Sequence, residues 1–346
     1  MNRRALSLIL FLLGIILVLT VLLVGVTISF QSYRQASVKT MADYDGKISD
    51  LQDTLSEEQQ AAEAEIEKRI PIETLKFYAA QYNVSADFLQ RFFDDAIIYK
   101  DESGIVYAPI DDTLQKNDYD WFYLTRDEDG RLGYQDMTRT AKKEIDISKY
   151  QGNIDWKKAA ADGVEFAIIR LGYRGYGSGE LVFDEYFTQN MKGATKAGIP
   201  VGVYFFSQAI SEAEAEEEAE MILDAIKKYD VQYPIVYDIE AVAEDARTAD
   251  LDIKTRTDCA VAFCETVEQA GYRSMVYSNT GWLIGKLDFS RIEPYGIWLA
   301  QYYRTPFFPY KLDMWQYTST GKVDGIKGDV DWNICFTDYL GEQESE

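Results

Sequence analysis

The distribution of apolar and polar positions divides the chain into four stretches. After Met1-Asn2-Arg3-Arg4 there is no charge from Ala5 to Tyr33, and Ala5 to Phe30 is dominated by Leu, Ile and Val. About 20 apolar residues cross a bilayer core, so residues 1–34 are expected to hold a cytoplasmic tip and a transmembrane signal anchor, with membrane contact through 5–30. A cleaved signal peptide would have an apolar region of about 7–15 residues followed by a small-x-small site, and no convincing Ala-x-Ala follows this one. Arg3 and Arg4 favour a cytoplasmic N-terminus and place the bulk of the chain outside; Arg34 and Lys39 pull the other way. In residues 35–71, Ile48, Leu51, Leu55, Ala62 and Ile66 recur at helical spacing. That predicts a helical stalk ended by Pro71. Glu and Gln interrupt the seam, which favours a solvated spacer and leaves only weak self-association open.

Residues 72–140 change character. Leu75, Phe77, Tyr78 and Tyr82 mark one amphipathic helix, and Ser85 caps a second carrying Phe88, Leu89, Phe92 and Phe93. Ile97–Tyr99 and Ile105–Tyr107 flank a turn at Asp101–Gly104, and a second turn lies at Asp127–Gly130. The expectation is a small α+β domain with its own core. It carries no evident chemistry, and a protein partner for it stays open.

From Glu144 the pattern becomes regular. Strand-like runs fall at Ile145–Ile147, Phe166–Leu171, Val201–Phe206, Ile235–Ile239, Ser274–Tyr277, Ile297–Ala300, Met314–Tyr317 and Val330–Ile334. Helical patterns follow most of the early ones, with Asp155 and the Ser211/Glu214 pair as N-terminal caps. The fold class expected for residues 141–346 is therefore α/β, a (β/α)8-type barrel, preceded by the transmembrane helix, the stalk and the small α+β domain.

Composition narrows the function. The chain has 346 residues and a net charge of −23, which argues against nucleic-acid binding. It has no histidine, so histidine-based triads and histidine metal ligation are excluded. Cys259, Cys264 and Cys335 form no CxxC pattern and read as buried apolar residues. The Gly172–Gly179 stretch lacks both a GxGxxG pattern and a P-loop lysine, and reads as a flexible loop over a cleft.

The chemistry lies in Tyr233-Pro234-Ile235-Val236-Tyr237-Asp238-Ile239-Glu240. Strand side chains alternate, so Asp238 and Glu240 share a face, roughly 6.6 Å apart at the backbone. Like charges that close raise one pKa, and a protonated acid beside an ionised partner suits glycosidic cleavage. In a barrel the active rim lies at the C-terminal ends of the strands. Asp146 and Asp331, with Tyr204, Phe206, Gln301, Trp315, Gln316 and Tyr317, are expected to converge there. Acids and aromatic rings together suit a carbohydrate.

Glu144-Ile145-Asp146-Ile147-Ser148-Lys149-Tyr150-Gln151-Gly152-Asn153-Ile154-Asp155-Trp156 closely resembles the opening motif of glycoside hydrolase family 25, lysozymes of the N-acetylmuramidase type. Phe166–Arg170, Gly198–Ser207, Asp238-Ile239-Glu240, Trp298–Tyr302, Trp315–Tyr317 and Gly328–Asn333 resemble later family segments, in order. The resemblance covers about residues 144–336. Phe205 stands where many relatives have histidine, and Asp329 where asparagine is common. The resemblance implies a barrel that binds peptidoglycan glycan strands; together with the apolar run 5–30, the expectation is a membrane-anchored enzyme outside a bacterial cell. It would cleave the β-1,4 bond between N-acetylmuramic acid and N-acetylglucosamine. By the same implication Glu240 is the general acid, and Asp238 is the nucleophile or stabilises the 2-acetamido group. Asp146 and Asp331 complete an acidic floor, and Arg170 joins the substrate-binding residues. Carboxylates alone would serve, with no metal and no cofactor. The alternative is a non-catalytic wall-binding or assembly protein on the same barrel, against which the intact Asp238 and Glu240 argue.

Overall fold

The structure is a computed structural model. It describes residues 72–341 apart from 244, and within the first 71 positions residues 19–20, 22–27, 29–34, 44, 46–59 and 61. The chain forms two compact units, Met1–Gln81 and Tyr82–Glu346.

The first unit is helical at 22–27, 29–34 and 46–59 and ends in α1 (Ile72–Gln81). Residues 46–59, within the stretch expected to be a stalk, are helical. Most of the expected anchor, residues 5–18, 21 and 28, lies outside the described residues. So do Ala62, Ile66 and Pro71 of the stalk. Among the described residues no helix is long and apolar enough to cross a membrane.

In the second unit, α2 (Ala86–Gln90) leads into the hairpin of β1 (Ala96–Asp101) and β2 (Gly104–Pro109). A second hairpin follows, β3 (Leu124–Arg126) with β4 (Leu132–Tyr134). Both turns lie where the Asp/Gly signals put them. Ser85 holds the N-cap position of α2, but its side chain makes no capping hydrogen bond.

The barrel strands are β5 (Lys142–Ile147), β6 (Phe166–Arg174), β8 (Val201–Phe206), β9 (Ile235–Asp238), β10 (Ser274–Asn279), β11 (Gly296–Ala300), β12 (Met314–Gly321) and β13 (Val330–Cys335). All eight coincide with the β-branched and aromatic runs of the sequence. A short strand, β7 (Leu181–Phe183), folds back on the end of β6. The loop expected over the cleft at 172–179 is thus the turn of a hairpin. Arg174 pins it by donating to the Gly179 carbonyl at 2.9 Å.

Eight strands close the barrel, but not in (β/α)8 form. β5, β6 and β8 through β12 run parallel, whereas β13 is antiparallel to both neighbours, β12 and β5. The cause is the short link 322–329, with Gly325 and Gly328 at positive φ. Antiparallel neighbours need only such a turn, while a parallel return needs a crossover. Helices therefore follow only the first five barrel strands among the described residues. They are α3 (Trp156–Ala161), α4 (Phe187–Ala197), α5 (Glu212–Ile226), α6 (Ile253–Gln269), and the short pair α7 (Thr280–Gly285) and α8 (Phe289–Ile292). Asp155 accepts from Lys158 N and Ser211 from Glu214 N, as the capping signals predict.

The missing helices leave the outer face of β12 and β13 to be covered by other means. Residues 110–141 cover it. Tyr119 stacks on Phe336 with centroids 4.3 Å apart, and Trp121 meets Trp315 edge-on at 6.3 Å. Tyr119 Oη donates to the Leu312 carbonyl at 2.6 Å, and Asn117 Nδ2 to the Phe308 carbonyl at 2.6 Å. Ile97, Leu132, Tyr134 and Ala141 belong to the same buried cluster as Trp315 and Ile334. The expected self-contained α+β domain over 72–140 is thus corrected. From Tyr82 onward the segment shares the barrel's core, because its apolar residues replace the helix layer that the closing strands lack.

Inside the barrel, strand alternation selects a separate set. Phe166, Ile168, Val236, Met275, Tyr277, Trp298, Met314 and Cys335 form a second buried cluster. The three thiols are unbridged and buried.

Candidate active site

The interior cluster ends in polar residues at the C-terminal ends of the parallel strands. There a cavity of about 610 Å³ is lined by Asp146, Arg170, Tyr204, Phe206, Asp238, Glu240, Gln316 and Asp331. Eight of the residues singled out in the sequence are thus brought together. Strand parity explains their company: Asp146 follows Glu144 inward on β5, Arg170 follows Ile168 on β6, and Asp238 follows Val236 on β9.

Three expected lining residues lie elsewhere. Gln316 points inward, so its neighbours Trp315 and Tyr317 must point outward. Trp315 is fully buried under Trp121, its Nε1 donating to the Gln301 carbonyl at 2.6 Å. Tyr317 Oη accepts from Leu132 N at 3.2 Å. Gln301 turns aside: its Nε2 donates to Thr280 Oγ1 at 2.8 Å and its Oε1 accepts from Phe307 N at 2.8 Å. It faces an adjoining cavity instead.

Sequence reading also passed over residues that line the site. Tyr277 continues the inward parity of Met275, a signal that was available, and Trp298 lies beside the inward Met314 across the β11–β12 pair. Tyr150, Tyr173, Tyr176 and Tyr302 come from loops and strand ends, where no periodicity points to them.

Asp146 is fixed by two amides. Its Oδ2 accepts from Gln316 Nε2 at 2.8 Å and from Asn333 Nδ2 at 2.9 Å. Those amides are oriented in turn. Gln316 Oε1 accepts from Tyr277 Oη at 2.8 Å and Tyr302 Oη at 2.6 Å, and Asn333 Oδ1 accepts from Trp298 Nε1 at 2.8 Å. The amide nitrogens therefore have one direction left, toward the carboxylate.

Electrostatically the cavity is crowded with acid. Burial, then the Asp331 charge, pushes Asp146 well above the usual carboxylate range. Burial, then Glu240, does the same to Asp238. Glu240 is raised by burial against a hydrogen bond shared with Asp238, and Asp331 is pushed up to about 6 by burial. Like charges in contact cannot both ionise cheaply, so the Asp238–Glu240 pair keeps a shared proton. Arg170 is the nearby guanidinium, but Asp184 holds it through Nε at 2.8 Å and Nη2 at 2.7 Å. It lowers the cost of charge on Asp238 without neutralising it. Among the described residues, Asp238 Oδ1 is buried with no hydrogen-bond partner. An unmet acceptor of this kind is expensive unless a ligand satisfies it. Among the described residues no group of three or more His, Cys, Asp or Glu side chains is arranged to hold a metal ion.

The arrangement offers a proton donor beside a carboxylate, two further acids, and tyrosine and tryptophan rings. That equipment suits acid-assisted cleavage of a polyhydroxylated substrate.

Comparison with known proteins agrees with this chemistry. The chain is 28% identical over 198 residues to YegX of Escherichia coli strain K12, covering 55% of this chain and 68% of that protein. It is 26% identical over 201 residues to Lysozyme M1 of Streptomyces globisporus, covering 55% and 66%. Among solved structures it resembles the modular autolysin LytC of Streptococcus pneumoniae, determined with a synthetic peptidoglycan ligand. There the TM-score is 0.53 and the identity 29%, over 70% of this chain and 57% of LytC. The chain thus spans little more than half of LytC's length. The sequence signature of Glycosyl hydrolases family 25 matches residues 145–326, from β5 to the turn before β13, and the chain belongs to that family.

Proposed function

We propose that the barrel is a peptidoglycan hydrolase that cleaves the β-1,4 bond between N-acetylmuramic acid and N-acetylglucosamine. The observation that carries this reading is the Asp238–Glu240 pair, raised by burial at the end of β9 and facing an aromatic-lined cavity. Glu240 serves as general acid toward the leaving oxygen. Asp238 Oδ1, without a protein partner, takes the N–H of the substrate's 2-acetamido group. That hydrogen bond favours the ionised form of Asp238 and leaves the shared proton on Glu240. Asp331, ionised at neutral pH, supplies negative potential where positive charge develops on the sugar ring, beside Asp146 held by Gln316 and Asn333.

The apolar segment 5–30 anchors the enzyme in the membrane of a bacterial cell with the barrel outside, and the stalk sets its reach. Tethering raises the effective concentration at the wall. This suits a chain whose net charge of −23 gives no attraction to an anionic wall. Membrane association that survives alkaline and high-salt washing supports the anchor, and a soluble form starting shortly after Phe30 would remove it.

The deciding experiment is mass spectrometry of muropeptides after digestion by the wild type and by Glu240→Gln. New reducing-end N-acetylmuramic acid with the wild type alone supports the reading. Equal release by both proteins would overturn the role of Glu240, and no release by either would overturn the activity.

A further inference from the structure

The catalytic cavity continues sideways into a second one of about 490 Å³. Glu240, Tyr277 and Tyr302 line both, so the two are parts of one cleft. One wall of the second cavity is barrel, formed by Asn279, Thr280 and Gln301. The other contains Ser85, Tyr99 and Lys100, which lie outside the residues 145–326 that match the family.

The sequence seats this added wall. The Tyr99 ring lies against α7, where Gly281 and Gly285 sit one turn apart on the same helix face. A Cβ at Gly285 would come within 2.6 Å of Tyr99 Oη, and one at Gly281 within 3.2 Å of the ring. Any larger residue at Gly285 would force the Tyr99 ring out of this position. Next to Tyr99, Lys100 is exposed, and its Nζ donates to the neutral Asn83 Oδ1 at 2.6 Å. Among the described residues no carboxylate pairs with it, and it is the one cation lining this cavity. Glu240 lies at the junction with the catalytic cavity, and the remaining polar lining is tyrosine rings, amides and hydroxyls, the groups that bind sugars.

We propose that the second cavity is a further saccharide subsite, built by the segment N-terminal to the family domain, in which Lys100 meets a carboxylate of the bound glycan. The inference rests on the reading that the cleft binds peptidoglycan. The carboxylate has two sources, the lactyl group of a muramic acid unit or the stem peptide, and they share one chemistry toward an ammonium group.

The test is calorimetric binding to the full chain in a Glu240→Gln background, which prevents turnover. The probes are glycan fragments of increasing length, peptide-free or peptide-bearing, with carboxylates free or converted to methylamides. Lys100→Ala should weaken fragments long enough to fill both cavities by about tenfold, as expected for loss of one charge-assisted contact. The loss should vanish with amidated fragments, and Lys100→Arg should restore affinity. Loss with peptide-free fragments assigns the lactyl carboxylate; loss confined to peptide-bearing ones assigns the stem peptide. Gly285→Leu, with folding checked by its melting curve, should give the same length-dependent loss. If short fragments bind and added length or Lys100→Ala changes nothing, the subsite is overturned while the glycan reading stands. If no fragment binds at any length, both fall.

Discussion

Two groups of buried acids in this molecule are treated in opposite ways. Outside the barrel, Arg174 donates through Nε to Glu218 at 2.8 Å and through Nη2 to Glu217 at 3.2 Å. Arg247 forks onto Glu214 at 2.8 and 2.9 Å. There each buried acid meets a guanidinium. Burial works against Glu214, yet the Arg247 fork holds it below its usual value; Glu218, fully buried, is pushed up to about 7 by burial. At the cleft, Asp146, Asp238, Glu240 and Asp331 meet amides and one another, and all four are raised. The Arg170 guanidinium close by is already held by Asp184. A fold optimised for stability alone would pair these acids as it paired Glu214. Leaving them unpaired costs stability and produces a proton donor near neutral pH.

The contrast breaks most visibly at Glu240. Glu240→Gln should lower glycan cleavage by about 10²–10⁴-fold, the usual contribution of general acid catalysis. Because it removes an uncompensated acid, the melting temperature should hold or rise. Activity near that of the wild type would show that the unpaired acids serve something other than this proton transfer.

The paired cluster should behave in reverse. Arg174→Met leaves Glu218 buried without its guanidinium, and removing one partner of a buried pair costs about 3–5 kcal/mol. Urea denaturation should show that loss. Arg174 does not itself line the catalytic cavity but pins the loop that carries Tyr176, so cleavage per folded molecule should fall far less than with Glu240→Gln. A stability change within 1 kcal/mol, roughly that of an exposed pair, would erase the distinction between the two clusters.

How far the sequence reveals this arrangement depends on local periodicity. The eight barrel strands are legible because each is a run of β-branched and aromatic residues. Asp238 and Glu240 are legible because a two-residue step keeps one face. The same rule, applied strictly, excludes Trp315 and Tyr317 from the face that Gln316 occupies; reading three consecutive residues as cleft lining overrode it. Gln301 lies past the strand end, where parity lapses, and its bonds to Thr280 and Phe307 involve distant positions. The reversed β13 was marked by its short, glycine-bearing link. The fate of residues 82–140 was not legible. An apolar face on a hairpin records that it is buried, not against what, and here the partner is the barrel wall that lacks helices.

A smaller effect sharpens the comparison within the cleft. Asp238→Ala removes the hydrogen bond that holds the pKa of Glu240 down, so that pKa should rise further. The readout is the pH profile of the residual activity, where the limb assigned to Glu240 should move to higher pH. A limb that stays in place would mean that the two carboxyls titrate independently and share no proton.

The smallest expected effect concerns Asp331. Its pKa is raised by burial from near 3.8 to about 6, so the folded state prefers the protonated form. Its stabilising contribution is therefore fully present below about pH 4, where the unfolded chain is also protonated. It is lost as pH rises through about 6, because the unfolded chain releases that proton more readily than the folded one. At neutral pH the wild type carries the full penalty of an ionised, partly buried acid. Asp331→Asn lacks the group and should be more stable than the wild type at pH 7, by on the order of 1 kcal/mol after allowance for solvent screening. The advantage should shrink as pH falls from 6 to 4. Melting temperatures of both proteins across that range provide the measurement. The paired cluster offers the control: a substitution in the Arg247–Glu214 fork, Arg247→Gln, should destabilise at pH 7 rather than stabilise. If Asp331→Asn also destabilises at pH 7, the cleft acids are paid for by contacts in the folded state, and the two clusters do not differ in kind.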